Sequence, residues 1–285
     1  MTDRLVVAEG MRKTYGRQGL FRKGVPYVAV KDVSLSVGVG ETLAIVGESG
    51  AGKSTVGRMV LRLIEPDSGS VTFVGTDLLA LSSKQLRKIR PEMQMIFQDP
   101  FSSLDPTMMI GDSVSEPLKV HTDLGADARH HKVAELLLRV GLTPEFADRF
   151  PRECSGGQLQ RIAIARAIST GPRLIVCDEP VAALDLSIRG QILNLLLDLQ
   201  QELGISYLFI SHDLSVVRHF AHRVAVMKSG EIVEQGDIED VFERPVEAYT
   251  RELLAAVPIP SFADDETNAT RTARVVSAGS AKESL

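Results

Sequence analysis

The chain has 285 residues, 44% of them hydrophobic, with 32 Lys+Arg against 37 Asp+Glu and a formal net charge of -5. This is the composition of an ordinary globular protein with ample material for a core, and its acidic balance excludes a chain-wide basic field for nucleic acid. The two cysteines, Cys154 and Cys177, are far apart and exclude a disulfide framework or a Cys-rich zinc or iron–sulfur site. Residues 5–9, 28–37 and 71–74 alternate in short strands and predict an antiparallel patch. Thr42–Val46 reads as a buried strand, followed by a Gly-rich turn. A helix is expected over 54–65 from the spacing of Val56, Met59, Val60, Leu63 and Ile64, with Pro66 as its stop. Residues 106–165 are mostly helical without a good strand, which predicts a helical subdomain inserted into a sheet domain. Two further apolar runs, 174–177 and 207–210, flank a helix from Ser187 to Leu203. Its stripe is Ile188, Ile192, Leu195, Leu196, Leu199 and Leu203, with Gly204 placed to cap it. The alternation predicts an α/β fold with a mainly parallel sheet. Residues 261–285, rich in Ser, Thr, Ala and charges, are expected to be a disordered tail. No run approaches 18 uninterrupted apolar residues and the start has no signal-peptide pattern, so a reducing cytosol is expected.

Gly47-Glu48-Ser49-Gly50-Ala51-Gly52-Lys53-Ser54 fits G-x-x-x-x-G-K-[ST] between the 42–46 strand and the following helix. Glycines let successive N–H groups point at phosphate oxygens, and the helix N-terminus adds a favourable dipole. Lys53 supplies charge for the β- and γ-phosphates, and Ser54 is a Mg²⁺ ligand candidate. The 174–177 strand runs into Asp178 and Glu179. Neighbouring strand residues face opposite ways, so the two acids suit different tasks: Asp178 near Mg²⁺, Glu179 on an attacking water. In Cys154-Ser155-Gly156-Gly157-Gln158, Ser155 is a natural N-cap and the glycines leave amides uncovered at a second helix N-terminus.

With these segments together the chain resembles the nucleotide-binding subunit of an ATP-binding cassette (ABC) transporter, over roughly residues 3–260. Ser155-Gly156-Gly157-Gln158 looks like the end of the family signature, with Cys154 where a large apolar residue is usual. The resemblance implies a P-loop NTPase (RecA-like) cassette that binds ATP and Mg²⁺. It implies ATP contacts from Tyr15 (on adenine), Gly47, Ser49, Gly50, Gly52, Lys53, Ser54, Thr55 and Asp178. Ser54, Gln98 and Asp178 would serve Mg²⁺, and Glu179, His212 and Gln98 would be catalytic. Ser155 to Gln158 would act on ATP held by a partner subunit, and Asp185 would lie in the loop that meets that partner.

Three features resemble the oligopeptide, dipeptide and nickel importers in particular: the run Gln98-Asp99-Pro100-Phe101-Ser102-Ser103-Leu104-Asp105-Pro106, a basic insert after Tyr15, and a C-terminal element over about 236–260. That element contains Arg244-Pro245-Val246-Glu247-Ala248-Tyr249-Thr250, with Ala248 replacing the usual Pro. The implied partners are a second ATPase subunit, expected to be a paralogue, two membrane permease subunits and an extracytoplasmic solute-binding protein, without nucleic acid. The implied place is the cytoplasmic face of the membrane. The alternatives are the same role for nickel or another small solute, and a soluble ABC-type ATPase. A kinase or GTPase leaves Ser155-Gly156-Gly157-Gln158 and His212 unexplained. The absence of cysteine after Cys177 predicts that no iron–sulfur cluster is present.

Overall fold

The computed structural model describes residues 4–16, 18–19, 22–23 and 26–256. The strands are β1 (Arg4–Tyr15), β2 (Gln18–Gly19), β3 (Arg22–Lys23), β4 (Tyr27–Gly38), β5 (Thr42–Val46), β6 (Ser68–Phe73), β7 (Thr76–Asp77), β8 (Met93–Ile96), β9 (Leu174–Asp178), β10 (Ser206–Ile210), β11 (Arg223–Lys228) and β12 (Glu231–Asp237). The helices are α1 (Lys53–Val60), α2 (Ser83–Ile89), α3 (Pro100–Ser103), α4 (Ile110–His121), α5 (Ala126–Arg139), α6 (Gly156–Ile168), α7 (Leu186–Leu203), α8 (Leu214–Phe220), α9 (Ile238–Glu243) and α10 (Ala248–Ala255).

A six-stranded sheet runs in the order β12-β11-β5-β10-β9-β8. All neighbours are parallel except β12, which closes one edge as an antiparallel hairpin with β11. Along β5, Leu43 and Ile45 enter one core while Ala44 and Val46 enter the other. That period-two division is why the central strands read as unbroken apolar runs. The first core joins the sheet to α1 and to the antiparallel sheet β4-β1-β6-β7. The second joins it to α6, α7, α8 and the helices of the 106–165 region.

The antiparallel patch and the helical insertion stand where the sequence places them. Three details differ. The helix expected over 54–65 ends at Val60, and Arg62 turns to φ +49. Arg90, from a later segment, donates to the carbonyls of Leu61 and Arg62, the first of which a helix reaching Glu65 would have used. In α7, Ile192, Leu196 and Leu199 are buried, but Leu203 at its end is exposed, and Gly204 caps the helix at φ +66. Finally, β8 pairs with β9 although Met93-Gln94-Met95-Ile96 lacks a clean strand pattern. The expected tail, residues 257–260 of the C-terminal element, and residues 17, 20, 21 and 24 of the insert after Tyr15 lie outside the described residues. Among the described residues, no helix is long and apolar enough to cross a membrane.

Candidate functional site

The phosphate loop leaves β5 and runs into the first turn of α1, so its shape is set by what surrounds it. Gly47 stands at φ +146, and a Cβ there would lie 2.1 Å from the Met227 carbonyl oxygen. Gly52 stands at φ +104, and its Cβ would meet the Ala29 carbonyl oxygen at 2.3 Å. Only glycine fits at either position, because rigid backbone fills the space. A Cβ on Gly57, one turn into α1, would lie 2.7 Å from Ile210 and 2.9 Å from Val176, so the helix is pressed against β9 and β10.

Lys53 is buried, and its Nζ donates to the carbonyls of Gly47 (2.7 Å) and Glu48 (2.9 Å), curling back over the loop. Burial lowers its pKa, opposed by the nearby carboxylates of Glu179 and Asp178. A buried cation of this kind gains from an anion brought to it. Ser54 Oγ donates to Asp178 Oδ1 at 2.6 Å, joining the start of α1 to the end of β9. Burial raises the Asp178 carboxyl pKa against the Ser54 hydrogen bond and Arg58, whose guanidinium lies 3.9 Å away. Thr55 is half-buried in the same turn, and Ser49 and Gly50 are exposed on the loop.

Glu179 follows Asp178 at φ +48, a conformation uncommon for a residue with a side chain. Its N–H donates to the Ile210 carbonyl at 3.0 Å, locking the turn to the neighbouring strand end. Its Oε2 accepts from Gln98 Nε2 at 3.0 Å and faces His212 Nδ1 at 3.1 Å. Three residues far apart in sequence thus meet because β8, β9 and β10 are adjacent and parallel and each ends at the same edge. Asp213, beside His212, caps α8 and accepts from Arg189 of α7 at 2.7 Å.

Ser155 caps α6 as its sequence predicts. Its Oγ accepts from Gln158 N (3.3 Å), and Gln158 Oε1 accepts from Ser155 N (2.9 Å), a reciprocal capping box. Those side-chain bonds close on themselves, and among the described residues none reaches the phosphate loop. The two glycines also serve packing: a Cβ on Gly157 would lie 2.6 Å from Ile188, and one on Gly156 would lie 3.7 Å from Leu184. The signature helix is therefore seated on the segment around Asp185, which caps α7 through Ile188 N at 3.0 Å. Asp185 is exposed, and Leu186 beside it is 81% exposed.

Tyr15 ends β1 and pairs across the strands with Tyr27. The sequence reading passed over Tyr27, whose hydroxyl donates to the Gly50 carbonyl at 3.0 Å. It also passed over Arg58 and Arg189, each an ordinary exposed-looking arginine in sequence whose role appears only from a partner distant along the chain.

The donor set fits a hard divalent cation. A hydroxyl (Ser54), a carboxylate (Asp178) and an amide (Gln98) are hard oxygen ligands. Among the described residues no group of three or more His, Cys, Asp or Glu could hold a metal alone, so the ion would rely on the nucleotide. Buried Lys53 and the backbone-walled cradle fit the phosphates themselves.

Known proteins agree with this architecture. The ABC transporter family model matches residues 30–182. A probable peptide ABC transporter ATP-binding protein, y4tS, of Sinorhizobium fredii is 51% identical over 91% of this chain and 74% of its own length. The glutathione import ATP-binding protein GsiA of Escherichia coli is 55% identical over 85% of this chain, and the aligned region spans 39% of GsiA. Among solved structures, the dimeric ATP-binding cassette MJ0796 bound to ADP and Pi has a TM-score of 0.73 at 32% identity, covering 82% of this chain and 98% of MJ0796. CbiO1 of Clostridium perfringens, part of the transporter complex cbiONQ, has a TM-score of 0.73 at 29% identity, covering 90% of this chain and 96% of its own. A family model that matches more than half of the chain, and relatives more than half identical over most of it, place the chain in the ABC transporter family as an ATP-binding cassette.

Proposed function

We propose that the chain is the ATP-hydrolysing subunit of an importer for di- and oligopeptides. The observation that carries the catalytic part is the meeting of Gln98 and His212 on Glu179 at the edge where the phosphate loop opens. A carboxylate held from two sides can accept a proton from water and fix its direction of approach, and positioning with electrostatics supplies most of the catalysis in phosphoryl transfer. Lys53 and the N–H groups from Ser49 to Thr55 bind the phosphates. Ser54 and Asp178, with Gln98, would hold Mg²⁺, which would supply positive charge to stabilise the phosphates. His212 orients Glu179 and contacts the γ-phosphate, and Tyr15 stacks on adenine.

Ser155 to Gln158 present a second anion-binding helix end, which serves ATP on a partner cassette, with Asp185 and exposed Leu186 in the contact. The partner is a separately encoded paralogue, and the pair sits on the cytoplasmic face beneath two membrane permease subunits fed by a solute-binding protein. The similarity to y4tS, a probable peptide transporter protein, and to GsiA, a glutathione import protein, supports peptide cargo. The C-terminal element and the 98–106 run support the same cargo. Glu179→Gln should keep ATP binding and lower hydrolysis by at least about 100-fold, while Lys53→Ala loses binding. Normal hydrolysis by Glu179→Gln would refute the assignment. For cargo, cells lacking the chain should lose growth on dipeptides as amino-acid source. Intact peptide uptake with a nickel-uptake defect would support the nickel reading instead.

A further inference from the structure

The C-terminal element comes back to the phosphate loop. Glu234 of β12 accepts from the N–H groups of Val246 (2.8 Å) and Glu247 (3.1 Å), which seats the start of α10 on the hairpin. Although partial burial opposes its charge, those backbone hydrogen bonds and nearby Arg251 hold the Glu234 carboxyl below its usual pKa. The first turn of α10 then buries Tyr249 and Thr250. Lys228 Nζ lies 4.3 Å above the Tyr249 ring, inside the range of cation–π attraction. The phenol oxygen of Tyr249 sits 3.4 Å from Glu48 N, a backbone amide of the phosphate loop. The outer face of that loop is gripped at two more points: Gly230 N donates to the Ala51 carbonyl at 3.0 Å, and the Tyr27 hydroxyl donates to the Gly50 carbonyl at 3.0 Å. Tyr27, Tyr249, Lys31 and Ser229 line a cavity of about 290 Å³ against residues 48–51. The loop therefore has space to move outward except where these groups hold it.

We infer that Tyr249 is a positioning residue for ATP, and that the C-terminal element is a strap that holds the phosphate loop in its binding shape. The inference rests on the nucleotide-site reading above. A loop held before the ligand arrives loses less conformational freedom on binding, so the strap acts on affinity more than on chemistry. Its bond to Glu48 is long and, being single and neutral, modest in effect.

The test is equilibrium binding of MgADP to the full-length chain, with steady-state hydrolysis and amide hydrogen exchange at Glu48. Tyr249→Phe keeps the ring under Lys228 and removes only the hydroxyl. It should weaken MgADP about 2- to 10-fold, raise KM for ATP to the same degree, change kcat by less than about twofold and speed exchange at Glu48. Tyr27→Phe, acting on Gly50, should add to the loss when combined with it. Binding and exchange by Tyr249→Phe that match the wild type would overturn the strap, as would a fall in kcat with KM unchanged. Lys53→Ala keeps the two readings apart: if it binds MgADP as well as the wild type, the nucleotide site itself is wrong, whereas loss in Lys53→Ala with none in Tyr249→Phe refutes the strap alone.

Discussion

Gly47 and Gly50 both adopt positive φ, at +146 and +81, but their surroundings differ. A Cβ on Gly47 would sit 2.1 Å from a backbone carbonyl, while one on Gly50 would have nothing within 4 Å. Gly50→Ala should therefore meet only conformational strain and cost about 1–2 kcal/mol of stability. Gly47→Ala adds a steric conflict with β11 and should cost about 2–5 kcal/mol; denaturant unfolding of the two variants measures the gap. Asp213 offers a pH-dependent counterpart. Burial opposes its charge, yet hydrogen bonds from Ser215 and Val216 and the Arg189 guanidinium prevail and hold its pKa below the ordinary aspartate value. A depressed carboxyl stabilises the fold above the unfolded-state pKa, and that contribution disappears as pH falls through the folded value. Asp213→Ala should therefore cost about 1–2 kcal/mol at neutral pH, and the difference from wild type should shrink in acid, as melting curves across pH would record.

At the level of elements, α6 has two loyalties: its capped N-terminus faces outward while Gly157 seats it on α7. Ser155→Arg fills the outward end without touching the phosphate loop. It should leave nucleotide binding at this chain's own Lys53 intact and impair hydrolysis at the site completed on the partner. Single-site measurements on mixed dimers with one wild-type cassette check this. The strand–loop–helix unit around Lys53 was legible in sequence because the motif constrains both the residues and what must precede and follow them. The Asp178–Glu179 strand end was legible for the same reason, and Ser155 because a cap is a local interaction. The early stop of α1 was not, since Arg90 decides it from another segment. Nor was β8, a short edge strand with a glutamine inside it whose pairing with β9 is a tertiary fact. Nor was the contact of Tyr27 and Tyr249 with the loop, because tyrosines on strands and amphipathic helices have many ordinary uses, and only proximity to Glu48 and Gly50 distinguishes them.

On the scale of the whole molecule, one cassette exposes Ser155's helix end and the Asp185–Leu186 corner without closing either over its own phosphate loop. Hydrolysis per chain should thus rise with concentration when the cassette is studied with its partner, and a rate independent of dilution would mean that one copy suffices. Deleting residues 261–285 should alter neither that rate nor the melting temperature, because the segment's composition cannot supply a core. The order of the central sheet has a further consequence, for biosynthesis. Strand β5, which carries the phosphate loop, lies between β10 and β11, and Met227 of β11 walls the loop at Gly47. Both neighbours are translated long after β5, so the emerging chain holds its nucleotide motif without the scaffold that shapes it. Pairing across such sequence separation is slow and leaves apolar strands waiting for cover. A nascent chain stalled before Ser206 should hold β5 amides open to exchange and fail to retain ATP, and competence should arrive as a late, single event once the β11–β12 hairpin has cleared the ribosome.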